Sequence, residues 1–446
     1  MEKTKAVHIE DSDAGVQVAD ILTLQSTSEE NARLLRKIDL FLMPLMGICY
    51  MLQLLDKLTL NFSSQLSLNK DLQLHGSQFS WAASIFYFGF LFWTWPSSWL
   101  VVRLPLGRYI ATTVTLWGAV LMCHAACHNF AEFMVVRFLL GVTEAAVAPG
   151  FGLIVSMFYT RREQPLRQGF WFVGNCVANI IGGLIGYGVG YVNSALAPWR
   201  VLFLILGGAT VAYSILLIAF LPDSPMKARF LNERERRLVI QRTLENKTGV
   251  MDENQFRTAQ MWEAFRDPQS WLIVLYTFSV NICNGGISTV SCIGISARNK
   301  ISVLILFQFN SLLIDGFGFS PLMALLLQMP VGGCQLVVLA AGTTLATIIP
   351  SARIFVMACI CGISLAGMLL IYCLSQAHPY GRLAGTYLAA VFAANIPLSL
   401  SLVGSNVGGF TKRSVVNGML FLAYSAGNIV GPQFYLSTQR PRYPVS

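Results

Sequence analysis

The chain has 446 residues, of which 54% are hydrophobic and 12% charged. Soluble domains carry about 25% charged residues, so this composition excludes an ordinary soluble enzyme, a disordered chain and a collagen-like one. The 31 Lys/Arg against 22 Asp/Glu leave a net charge of +9, a basic excess that suits nucleic acid or the inner loops of a membrane protein. The ten cysteines are scattered, mostly inside apolar runs, which is not a secreted disulfide framework.

Residues 1–37 are polar and mixed in charge (Glu10, Asp11, Asp13, Glu29, Glu30) and read as a disordered cytoplasmic tail without a signal peptide. A helix needs about 20 apolar residues to cross a hydrocarbon layer about 30 Å thick. Runs of that kind fall near 38–60, 79–101, 109–128, 133–158, 169–191 and 200–221. A polar linker, 222–267, follows; Asn232 with Glu235 forms a helix-starting cap, and Leu231, Leu238 and Leu244 form an apolar stripe. Further runs fall near 268–294, 322–348, 354–374, 383–403 and 415–436, and a tail covers 437–446. The runs are continuous rather than alternating, so they predict helices and not a barrel. With the N-terminus inside, the inner loops hold Arg103, Arg108, Arg161, Arg162, Arg167, Arg353, Lys412 and Arg413, against Lys70, Arg200, Arg298, Lys300 and Arg382 outside. That bias accounts for the positive charge and leaves no need for nucleic acid.

A charge at the centre of a span costs at least about 2.5–3.5 kcal/mol, so each is a functional candidate. Asp56 and Lys57 are adjacent and cannot share one helix face. Arg137, Gly141, Glu144 and Ala148 line one face. Arg137 suits bidentate binding of an anion, and Glu144, like Asp56, is a candidate proton carrier; the plainer alternative is a charge network locking two spans together. Asn175, Asn179, Gly182, Gly186 and Gly190 share a face, where the glycines allow close packing and Asn175 is a candidate substrate contact. Asn281, Asn284, Gly285 and Gly286 loosen the seventh span; Asn395 with Pro397, and Asn428 with Gly427 and Gly431, repeat that theme. Cys123, His124, Cys127 and His128 carry ligand types, but the two pairs diverge around the helix and the expectation is no metal. No phosphate-binding loop is present, so coupling to an ion gradient is expected rather than ATP hydrolysis.

Several segments together resemble one family. These are Lys37–Lys57 (KIDLFLMPLMGICYMLQLLDK), WAASIFYFG at 81–89, RLPLGRY at 103–109, RFLLGVTEAAVAPG at 137–150, NGGIS at 284–288 and GFGFSP at 316–321. Trp199–Leu206, Leu221–Pro225 with Phe230–Glu235, and Gly431–Gln433 match as well. They resemble fungal major facilitator transporters of the allantoate permease type, the anion:cation symporters. The resemblance implies an all-α membrane protein of two six-helix bundles, 38–221 and 268–436, working by alternating access. It implies proton-coupled import of a small organic anion such as allantoate, ureidosuccinate, nicotinate or another vitamin-like carboxylate. Arg137, Lys57, Asn175, Asn284 and Asn395 are then the candidate substrate contacts, with Asp56 and Glu144 coupling the proton. The expected setting is a monomer in the plasma membrane, without cofactor or enzymatic activity. Departures from the family pattern are Val102 before Arg103, an insertion at 295–315 too short to span, and about 11 spans with the last helix missing. The insertion and the missing helix keep open a truncated, transport-inactive chain or nutrient receptor; a separate alternative is a drug efflux carrier, which would need a wide apolar cavity and no role for Arg137.

Overall fold

A computed structural model describes residues 27–75, 78–160, 162–192, 194–244, 258–289, 326–327, 329–349, 352–374, 378–408 and 410–430. The insertion at 295–315, the GFGFSP and Gly431–Gln433 segments, the tail at 437–446 and the side chain of Asn284 lie outside what is described.

Among the described residues every regular element is helical. The first half comprises α1 (Ser28–Gln65), α2 (Gln78–Arg103), α3 (Leu106–Cys123), α4 (Phe130–Glu144), α5 (Val147–Phe158), α6 (Gln164–Gly190) and α7 (Pro198–Phe220). The linker holds α8 (Glu233–Leu244) and α9 (Thr258–Arg266). The second half comprises α10 (Pro268–Thr289), α11 (Met329–Ile348), α12 (Arg353–Cys373), α13 (Pro379–Ala389), α14 (Asn395–Asn406) and α15 (Phe410–Val430). Eight helical segments among the described residues are long and apolar enough to cross a membrane. The long helices α2, α10 and α15, richer in aromatic, hydroxyl and amide residues, pack on one another, and α2 packs on α4 as well.

The start of α1 differs from the hydropathy reading. Residues 28–37, read from sequence as part of the disordered tail, are the first turns of α1. The Thr27 hydroxyl accepts the Glu30 N–H, and Glu29 and Glu30 complement the helix dipole. Lys37 then pairs with Glu235 at 2.7 Å, and Glu30 with Arg234 at 2.9 Å. Hydropathy misses this segment because ion pairs and a cap hold it. The run near 133–158, read as one span, is one membrane-length segment, Phe130–Phe158, in which a turn at 145–146 separates α4 from α5. Pro149 has no N–H to give the Ala145 carbonyl, so the helical ladder is interrupted there.

Within the first half, α1 packs on α6, α2 on α4, and α3 on α7. The α2–α4 contact is backbone to backbone: a Cβ on Gly89 would run into the Phe138 carbonyl, and one on Gly141 into the Phe86 carbonyl. Within the second half, α10 packs on α15 and α12 on α13. The halves meet where α6 lies against α11 and α14, and where α2 lies against α15. Asn179 of α6 donates to Gln335 of α11 at 3.0 Å, and Phe90 and Tyr87 of α2 face Phe421 and Tyr424 of α15.

The linker divides between the halves. The Asn232 N–H donates to Glu235 at 2.7 Å, forming the expected cap of α8, and Leu231 and Leu238 are buried. Helix α8 packs on α5, whereas α9 packs on α15, where Lys412 bridges Glu263 at 2.8 Å and Asp267 at 3.1 Å.

Candidate functional site

A cavity lies between the halves. Its first-half wall is Tyr50, Gln53 and Lys57 from α1, Phe90 from α2 and Ala148 from α5. Its second-half wall includes Tyr276, Thr277 and Asn281 from α10, Asn395 and Ser399 from α14, and Phe421 and Tyr424 from α15. Aromatic rings and neutral polar groups dominate, and the cation in the described wall is Lys57.

Helix periodicity separates Asp56 from Lys57, since neighbours lie about 100° apart around the axis. Lys57 faces the cavity, its ammonium 5.6 Å from the Phe86 ring centre. It forms an ion pair with Glu144, which sits at the end of α4 and is fully buried. The ion pair uses Oε1 of Glu144, and Gln53 also lies beside the carboxylate. Asp56 points the other way, accepting from Trp117 Nε1 of α3 at 2.6 Å.

Arg137 stands two turns before Glu144 on α4 and is 3% exposed. It is not in the cavity wall. Its guanidinium carbon lies 5.6 Å from the Phe133 ring centre and 5.8 Å from that of Phe203, and its charge attracts Asp56. Arg137 thus belongs to a buried cluster of Asp56, Trp117, Phe133 and Phe203 within the first half, behind the Lys57–Glu144 pair. The shared face of Arg137, Gly141 and Glu144 is real, but its middle is occupied by α2, which passes over Gly141. Sequence spacing shows which residues share a face, not which neighbour covers it.

Of the asparagines singled out from sequence, Asn395 is in the wall and Asn175 is not. The Asn175 carbonyl accepts from Asn179, whose amide reaches on to Gln335. The Gly182 face is a packing face: a Cβ there would lie 3.0 Å from Leu55 and 3.2 Å from Phe62 of α1. Asn281 is in the wall and Asn428 donates to it at 3.2 Å. The cysteine–histidine segment does not converge. His124 is stacked on Phe203 with ring centres 4.8 Å apart, whereas His128 lies beside Arg200 at 3.4 Å. Among the described residues no group of three or more His, Cys, Asp or Glu side chains is placed to hold a metal. Tyr50, Gln53, Tyr276, Ser399 and Tyr424 were not singled out from sequence; uncharged and common in spans, they give no signal there.

Residues 46–432 match the family described as the Major Facilitator Superfamily. Among curated proteins, the allantoate permease of Saccharomyces cerevisiae is 33% identical over 98% of this chain and 80% of its own length. An uncharacterized transporter of Schizosaccharomyces pombe is 35% identical over 94% of this chain and 76% of its own. A thiamine pathway transporter of S. cerevisiae is 31% identical over 93% and 75%. Among solved structures, a proton:xylose symporter superposes with a TM-score of 0.61 at 15% identity, covering 87% of each chain. A bacterial homologue of the human lysosomal transporter Spinster, in an inward-facing conformation, gives 0.60 at 14%, covering 88% of this chain and 80% of its own. At such identities the two structures speak for the fold alone.

Proposed function

The chain belongs to the Major Facilitator Superfamily, whose matched relatives are transporters and not enzymes, and on that premise we propose that it imports a small organic anion together with protons by alternating access. The observation that carries this reading is Lys57, a cation in the wall of a cavity between two helical halves, paired with the buried Glu144. The cargo's carboxylate binds Lys57. Were Glu144 to stay ionised, two negative charges would then share one ammonium in a medium that solvates charge poorly. A proton on Glu144 restores neutrality, so cargo and proton bind together. Asp56, held by Trp117 and Arg137, is the second carboxyl of the cluster, and Arg137 balances its charge rather than touching cargo.

Allantoate, ureidosuccinate, nicotinate or another vitamin-like carboxylate is the cargo class, supported by the likeness to an allantoate permease and a thiamine pathway transporter. Such import places the chain in the plasma membrane with its N-terminus cytoplasmic, in keeping with the loop charges, and a monomer suffices because both cavity walls come from one chain.

The test is uptake of radiolabelled carboxylates from that class into vesicles under an imposed pH gradient. Uptake accelerates when the outside is acidified, and Lys57→Gln abolishes it while the protein remains in the membrane. Uptake that ignores the gradient removes the proton from the reading, and undiminished uptake by Lys57→Gln removes the cation.

A further inference from the structure

Helix α13 ends at Ala389, and the chain continues as a tighter 3₁₀ turn, Ala390–Ala394, before α14 begins at Asn395. Pro397 is one cause, because it cannot donate to the carbonyl of residue 393. The irregularity sets Asn395, a residue 1% exposed, into the cavity wall. The two ends of its carboxamide are treated differently. Nδ2 is held by α12, donating to Cys361 Sγ at 3.2 Å and to the Met357 carbonyl at 3.4 Å. Oδ1 has no partner. The amide orientation follows from its neighbours, since a carbonyl oxygen beside the amide demands N–H there.

Amide and hydroxyl groups beside it in the second-half wall are engaged. Thr277 donates to the Ile273 carbonyl at 2.8 Å and Ser399 to that of Ile396 at 2.7 Å. Asn281 donates to the Thr277 carbonyl at 2.7 Å and accepts from Asn428. Among the described wall residues, Asn395 Oδ1 is the one buried side-chain polar atom left unpaired. A buried acceptor without a donor is costly, and a site built round one rejects an isostere that lacks the donor.

We infer that Asn395 is a specificity-determining residue whose Oδ1 selects cargo bearing an N–H or O–H donor at the end remote from its carboxylate. The inference rests on reading the cavity as the cargo site, with Lys57 on one wall and Asn395 on the opposite one.

Four probes separate the two claims. 3-Ureidopropionate and 5-oxohexanoate have the same heavy-atom skeleton, with NH2 and NH replaced by CH3 and CH2. Their methyl esters repeat the comparison without the charge. Binding is measured by calorimetry on the purified full-length protein, wild type and Asn395→Leu. The wild type is expected to prefer each ureido compound over its ketone by about tenfold or more. Asn395→Leu is expected to bring that ratio to about one while binding of 5-oxohexanoate persists, which also reports that the variant is folded. Asn395→Met serves if the leucine variant does not fold. Absence of ureido preference in the wild type, or its survival in both variants, overturns the inference. The acid-to-ester ratio reports separately on Lys57: esters binding as tightly as acids discard the anion reading, whereas the ureido-to-ketone ratio still decides the role of Asn395.

Discussion

Lys57 of α1 and Glu144 of α4 are joined by an ion pair that has one foot in the cavity and one in the protein interior. The Lys57 side chain is 15% exposed and that of Glu144 is fully buried. The ammonium borders the cavity, whereas the carboxylate lies in the protein interior.

The first prediction concerns that pair. Lys57→Met leaves a buried carboxylate without its counter-ion and should cost about 3–5 kcal/mol of stability. Lys57→Met combined with Glu144→Met should recover most of that loss, because both charges go together, and should still not transport. Thermal unfolding of the three proteins in detergent checks the stability cycle, and vesicle uptake checks the activity. Glu144→Gln should keep cargo exchange but lose the acceleration by external acid.

Arg137 supplies the second. It stacks behind the wall rather than in it. Arg137→Gln should therefore change cargo affinity by less than about threefold, a shift of under about 1 kcal/mol, whereas Lys57→Gln should lower it by more than about tenfold. Equilibrium binding to purified protein makes the comparison. An equal or larger loss in Arg137→Gln would put the guanidinium back in the site.

Third, Gly141 lies where α4 crosses the backbone of α2 at Phe86 and Phe90. A methyl group has no space there, and the neighbour it meets is main chain, which cannot rotate aside. Gly141→Ala should destabilise by at least the overpacking cost of about 1–3 kcal/mol. Gly152, with open space about its Cβ position, should accept Ala with little change. The melting temperatures of the two variants provide the test.

The fourth prediction is a pH dependence at the linker. Burial pushes the Glu235 carboxyl up, but the hydrogen bond from Lys37, that from the Asn232 N–H and the Lys37 charge together hold it below its ordinary value. A carboxyl depressed in the folded state stabilises above its unfolded pKa, about 4.3 for Glu, and that stabilisation is lost as pH falls through the folded value. Docking of α8 on α1 should therefore loosen only under acid below that range, and Glu235→Gln should be looser already at neutral pH. Amide exchange along α8 at a series of pH values, corrected for intrinsic rates, reads this directly.

The apolar runs placed most helices to within a few residues, because the bilayer length requirement acts on local composition. The start of α1 was not legible because it depends on local chemistry that hydropathy does not weigh, the Thr27 cap and the ion pairs of Glu30 and Lys37. The site was only partly legible. Asp56, Lys57, Arg137 and Glu144 stood out because charge inside an apolar run is costly. Which of them meets the cavity did not stand out, nor did Tyr50, Gln53 or Tyr424, whose side chains look ordinary in any span.

Sequence alone determined the class of this molecule: a helical membrane protein in two halves with a few buried charges, since the density of apolar residues and the cost of intramembrane charge are properties of the chain read in one dimension. The tertiary structure decided the assignment of roles. It turned Lys57 to the cavity and Asp56 to Trp117, and it covered the Arg137 face with α2. It also brought Asn395 across from Lys57 with one oxygen unpaired. The reason is physical: helical periodicity fixes which way a side chain points from its own axis, but what it meets there depends on helices many residues away, and only their packing supplies that neighbour.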